Sequence, residues 1–165
     1  MTLQSILKSQ YRAALAMLLE AIESCPLELW TSDRYLNPTW QVAYHTLYYT
    51  DLYLQASESG FVPWEHHRPD HQHFAEDSAA RTPLRPYSIE EAREYCVRLR
   101  DGLDAALARL DLTARDSGIS WYRMTLLELQ LLTLRHLQHH AGQLADRLRQ
   151  TADRGLEWVG DGSEG

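Results

Sequence analysis

An all-α protein, a four-helix bundle with a long connection between its second and third helices, is the fold class this sequence predicts. Three observations lead there. All six prolines fall between residues 26 and 86, which leaves two long stretches free of them. Apolar residues recur at steps of three and four along four separate segments, the spacing of one helical face. No run alternates apolar and polar residues as a half-buried strand does, and no repeat of solenoid length recurs.

The first helix spans residues 3 to about 24, where Leu3, Leu7, Tyr11, Ala14, Leu18 and Ile22 share a face. The second opens at NPTW, with Asn37 as its cap and Pro38 in its first turn. It runs through Trp40, Tyr44, Leu47, Tyr48, Leu52 and Ala56 to a stop at Gly60. Residues 61–87 hold four prolines and no sustained period, so they read as a connection of more than twenty residues, a length that usually carries function or partial disorder. Ser88 and Glu91 then have the spacing of a capping box. They open a third helix along Ile89, Ala92, Cys96, Leu99, Leu103, Ala106, Leu107 and Leu110. After a break at residues 116–120, a fourth helix extends from about Tyr122 to about Gln150, with Leu129, Leu132, His136, His140, Gln143, Leu144 and Leu148 near one stripe. Facing side chains inside such a bundle are the usual place for a metal or ligand site. The long connection permits a topology other than up-down-up-down. Residues 1–152 form one domain on this reading and residues 153–165 a tail, from which Trp158 could fold back.

Composition narrows the function classes. Sixteen basic residues against 23 acidic ones give a net charge of −7, a poor balance for displacing counterions from a polyphosphate, so no nucleic-acid partner is expected. Fifteen of the sixteen basic residues are arginine, dispersed among acids. No stretch approaches the roughly 20 apolar residues of a membrane span, and the amino terminus lacks the pattern of a secretion signal. Two cysteines, Cys25 and Cys96, cannot build a disulfide framework, and the expected location is the reduced cytoplasm. Covalent schemes do poorly: the single lysine, Lys8, sits among polar neighbours, no GxSxG turn is present, and Cys96 lies on a core stripe.

Eight histidines remain. His136 and His140, in RHLQHHAGQL, are four residues apart, which puts their Cβ atoms about 6 Å apart on one helical face, where two imidazoles can grip one ion. The glutamate of the zinc-protease HExxH signature is absent, and so are the Glu-x-x-His pairs of ferritin-type sites. Clustered histidines also occur by chance on helices, but this pair lies on a stripe otherwise filled by leucines. His45 lies on the second helix among aromatic residues. If that helix neighbours the fourth, His45, His136 and His140 make a three-nitrogen site with a position left for water or substrate. His139 competes with His140 and ranks second, because i+4 stacks the pair more nearly above one another.

The string H-x-x-H-H-x-G-Q (His136, His139, His140, Gly142, Gln143), together with a tryptophan-led second helix bearing one histidine in WQVAYH, resembles the DinB-like metalloprotein superfamily over nearly the whole chain. The resemblance implies that His45, His136 and His140 are the ligands of a divalent metal, zinc or nickel, and that the chain forms a homodimer through helix packing. It further implies a metal-dependent enzyme in which a low-molecular-weight thiol takes part in S-transfer to a small-molecule substrate, or else a hydrolase. The alternative is a non-enzymatic, metal-stabilised binding or stress-response protein. An ion held by three neutral imidazoles keeps its double charge and would acidify a water or thiol bound to it. Tyr48, Tyr49 and Gln143 are candidates to orient substrate or to bond a ligand's second nitrogen.

A second group, His66, His67, His71 and His73, lies in the connection beside Glu65 and Asp70. Loops fix no ligand geometry, and these four are expected to be solvated. The segment is instead expected to form a lid or rim over one end of the bundle, with Trp64 or Phe74 packed down.

Overall fold

Thr2 and Ser88 start two of the long helices by the same device. Each side chain accepts the backbone N–H three residues on, and that third residue, Ser5 or Glu91, bonds back to the backbone of the cap. The computed structural model describes residues 2–77, 79 and 83–162; residues 78 and 80–82 of the connection and 163–165 of the tail lie outside it. Helix α1 spans Leu3–Glu23, the single turn α2 Leu27–Trp30, α3 Thr39–Tyr53, α4 Ile89–Arg109 and α5 Leu126–Ala152. No strand occurs among the described residues, and the chain is an all-α bundle.

Cross-helix contacts define the topology. Tyr11 on α1 donates to Gln130 Oε1 on α5 at 2.8 Å and, further along both helices, Gln138 Nε2 reaches Met17 Sδ at 3.7 Å, so these two run parallel. Lys8 pairs with Asp104 at 2.5 Å and Arg93 with Glu23 at 2.8 Å, which makes α1 and α4 antiparallel. Asp51 on α3 meets Tyr95 and Arg98 on α4, whereas Thr39 and Tyr53 on α3 meet Arg147 and Gln130 on α5. Helices α3 and α4 therefore run parallel, and α3 and α5 antiparallel. The order is up-down-down-up, and the long connection is what carries the chain back along the bundle between the two down helices.

Several boundaries differ from the sequence expectation, each for a local reason. Asn37 does not cap α3; Pro38 occupies the cap, and the Asn37 side chain instead pairs with the backbone of Ala75 in the connection. Helix α3 ends at Tyr53 rather than Gly60, and Gly60 closes a separate 3-10 turn at Glu58–Gly60. That turn is held by Gly118, whose carbonyl accepts from Glu58 N at 2.8 Å and whose φ of 75° only glycine adopts freely; a Cβ there would meet the Ala56 carbonyl. Helix α5 starts at Leu126 and not near Tyr122, because Thr125 caps it by accepting from Glu128 N. The one-turn α2 carries no heptad signal, yet it buries Trp30 completely and ties Trp30 Nε1 to the Tyr87 carbonyl at 2.7 Å.

The described part of the connection is ordered against the bundle. Trp64 is buried and stacks on Tyr95, with ring centroids 4.6 Å apart. Tyr87 joins the core beneath it, its hydroxyl donating to the His66 carbonyl and accepting from Arg68 N. Past α5, Arg154 bonds the Ser24 carbonyl and Gly162 N bonds the Ser9 carbonyl, so residues 154–162 run back along α1. Trp158 itself stays 74% exposed, and Leu156 is the apolar residue of that segment that packs onto the core.

Candidate metal centre

The three helical histidines converge where α3 and α5 face one another. His45 sits in the second turn of α3; His136 and His140 sit one turn apart midway along α5. One ring nitrogen from each lies within 4.8 Å of the other two, and the Nε2 atoms of His45 and His136 are 3.1 Å apart. A tetrahedral ion with bonds of ~2.0–2.1 Å separates its ligand atoms by roughly 3.3 Å, close to the His45–His136 spacing. The donor set therefore fits a divalent ion of the zinc type.

Two of the rings are held from behind. His45 Nδ1–H donates to the Gln72 carbonyl at 2.7 Å, and His140 Nδ1–H donates to Gln143 Oε1 at 3.0 Å. Each bond fixes the tautomer and leaves the Nε2 lone pair to the shared centre, the usual arrangement behind metal-binding imidazoles. His136 Nδ1 is buried with no partner among the described residues. Phe74 stacks on His45 at 3.9 Å, and the Tyr49 ring lies 4.7 Å from it. Burial pushes the His45 imidazole down to about 3 and that of His136 down to about 4, and lowers His140 as well. All three are thus neutral near pH 7, the protonation state a ligand requires.

A cavity of about 610 Å³ opens beside the three rings. Gln143, Phe74 and His139 line it, and so does Arg147. His139 is exposed and stands outside the converging set; its ring meets that of His140 at 4.8 Å. Among the described residues no fourth side-chain donor joins the three.

The sequence model of the DinB superfamily matches residues 10–144. The chain belongs to the DinB superfamily. Its match runs from α1 to within nine residues of the end of α5, so every histidine of the centre falls inside it. Comparison with curated proteins and with solved structures returned no match.

Of the residues expected to support the DinB-type centre, Gln143 bonds a histidine, whereas Tyr49 touches two of them by ring contact only. Tyr48 faces away, against Phe61 and His67. The four histidines of the connection are not all solvated, contrary to expectation. His71 is buried, with its ring nitrogens 3.0 Å from the carbonyls of Pro69 and Arg85, and His67 shares a 2.6 Å hydrogen bond with the Tyr44 hydroxyl. His66 and His73 are exposed. The sequence reading missed the Gln72 carbonyl, because a backbone acceptor leaves no mark on residue identity. It also missed Arg147, which the pattern did hold: that residue follows His140 by seven, on the same stripe.

Proposed function

We propose that the chain binds one divalent ion, zinc or nickel, through His45, His136 and His140, and that the site serves a metal-dependent reaction on a small molecule, either hydrolysis or S-transfer from a low-molecular-weight thiol. The observation that carries the metal is the convergence of three neutral imidazoles, two of them held by second partners. Bound there, such an ion supplies Lewis acidity, lowering the pKa of a water or thiol at its remaining position. The chain's own part is to hold three nitrogens on two antiparallel helices, to keep them neutral by burial, and to shield one flank with Phe74. The cavity favours an enzyme over a structural role, because structural zinc sites are closed by four protein ligands.

Metal analysis of untagged protein tests the first half: about one equivalent per chain is expected, and undiminished metal in both His136→Ala and His140→Ala overturns the site. Turnover of an electrophile by a thiol, abolished by chelation, tests the second. A chain that keeps its metal yet shows no turnover across a broad screen is instead a metal-stabilised binding or stress-response protein. The homodimer would form by helix packing, for which exposed Leu3 and Ile6 on α1 and Leu131 on α5 supply apolar surface; a monomeric mass in sedimentation overturns it. No helix among the described residues is long and apolar enough to cross a membrane. Cys25 and Cys96 are buried free thiols, which suits the reduced cytoplasm we assign to the protein.

A further inference from the structure

Arg147 stands out among the residues of the cavity. It is 6% exposed, which is rare for an arginine unless a carboxylate meets it, and no carboxylate does among the described residues. Its guanidinium lies over the Tyr35 ring at 4.0 Å, and one nitrogen donates to Thr39 Oγ1 at 3.4 Å; the rest of the fork meets no acceptor among the described residues. The aromatic face offsets part of the desolvation of the cation but accepts none of its in-plane N–H groups. The chain is acidic overall, and several of its other arginines meet acids, as Arg68 does with Glu91, Arg93 with Glu23 and Arg98 with Asp51. Yet among the described residues no Asp or Glu lines this cavity. The described residues that line the space shared by this buried guanidinium and the three imidazoles include no acid.

We propose that the cavity binds a small molecule bearing an oxyanion, with Arg147 holding that group by a forked hydrogen bond while the reacting end lies at the three histidines. Arg147 follows His140 by seven residues, two turns of α5, so their Cα atoms are about 10 Å apart along the axis. Long helical side chains lean toward the amino terminus, which brings the guanidinium back toward His140. The anionic group and the reacting atom therefore belong to one molecule of metabolite size. Planar carboxylate and tetrahedral phosphate both match the fork, and Lys in place of Arg would lose the two-point match. This inference rests on the proposed metal reaction for its view of where chemistry happens, but the anion site itself is measured independently.

The test titrates wild-type protein, zinc-loaded and chelator-stripped, with acetate, succinate and inorganic phosphate. The Arg147 Nε–H resonance is followed by nitrogen-15 NMR and affinity by calorimetry. A saturable shift of that resonance is expected with at least one anion, with affinity at least roughly tenfold weaker in Arg147→Met at unchanged zinc content. The better of the carboxylates and phosphate names the ligand class. No saturable shift with any of the three anions up to about 10 mM, or equal affinity in Arg147→Met, overturns the proposal. The wild-type resonance decides the matter even if the variant fails to fold. A stripped chain that binds no zinc but still titrates at Arg147 keeps the anion site and sinks the metal; a zinc-loaded chain with a silent Arg147 does the reverse.

Discussion

Two groups of four histidines divide this molecule's imidazoles, and the fold places them differently. His45, His136, His139 and His140 ride on helices, where the backbone fixes every Cβ, and three of them turn a nitrogen toward a common centre. His66, His67, His71 and His73 ride on the connection, and the buried member, His71, spends its nitrogens on the carbonyls of Pro69 and Arg85. With both nitrogens turned to backbone carbonyls, the His71 ring is not aimed at a centre shared with other ligands among the described residues. The three helical rings converge because a regular backbone sets their spacing; on the connection, His71 faces backbone carbonyls of its own segment, His67 bonds Tyr44 on α3, and the exposed His66 lies beside Glu65 and Glu94.

The largest effect expected from breaking this contrast is on metal content. His45→Ala or His136→Ala should drop bound metal from about one equivalent to near zero. His67→Ala and His71→Ala should leave it within about a third of wild type, since removing a partner on the connection costs hydrogen bonds of ~1 kcal/mol each rather than a ligand. Elemental analysis of the four purified variants checks it. Equal losses in both groups would erase the distinction.

The comparison also explains what could be read in advance. Helix spacing exposed His136 and His140 because a period of 3.6 residues converts sequence distance directly into space. The partnership with His45 required knowing that α3 and α5 are neighbours, which hydrophobic periodicity alone leaves open; the family string supplied it. The connection was opaque for a different reason. Its order comes from Trp64 on Tyr95, from Asn37 against the Ala75 backbone and from Gln41 donating to the His73 carbonyl, contacts among residues many positions apart with no local pattern. Asn37 shows the cost of local reasoning, since a good capping residue was recruited by a distant backbone instead.

Next in size is the anchoring of the connection. Trp64→Ala removes a fully packed indole from between the connection and α4, and should cost ~3–5 kcal/mol in chemical denaturation. An effect under about 1 kcal/mol would show the segment to be a loose cover rather than a part of the core. Because the same segment presents the Gln72 carbonyl and Phe74 to His45, this variant should also weaken metal binding, which no change confined to the far side of the bundle would do.

Acid tests the burial of the helical histidines. His45 and His136 titrate at about 3 and about 4 in the folded, metal-free chain and near 6.5 when unfolded. Above pH 6.5 both states are neutral and pH does nothing. Below it the unfolded chain takes up protons that the folded chain refuses, so stability falls as pH drops from 6.5 toward 4, by about 2 kcal/mol per histidine at pH 5. Denaturation of stripped protein at pH 7.5 and pH 5 should show the loss, and His45→Gln should recover the His45 share of it, about 2 kcal/mol at pH 5. An identical loss in that variant would assign the acid sensitivity to other groups.

The smallest effect belongs to Gln143, and it tests whether support from behind a ligand matters when the ligand already sits on a rigid helix. Gln143 is three residues from His140 on the same helix, so the backbone fixes its approach, and its amide orients the ring by accepting from Nδ1 at 3.0 Å. Partners of this kind are worth ten- to a hundredfold in metal affinity. Gln143 is half-buried at the cavity edge, where solvent can replace its oxygen, so Gln143→Ala should fall at the lower end, about tenfold, with little change in folding stability. The Gln72 carbonyl behind His45 is by contrast backbone in a buried residue, which no substitution deletes, so His45 should remain the more rigidly presented ligand. Competition with a chelator of known affinity measures the Gln143 effect, and an unchanged zinc affinity would mean that helix geometry alone orients His140.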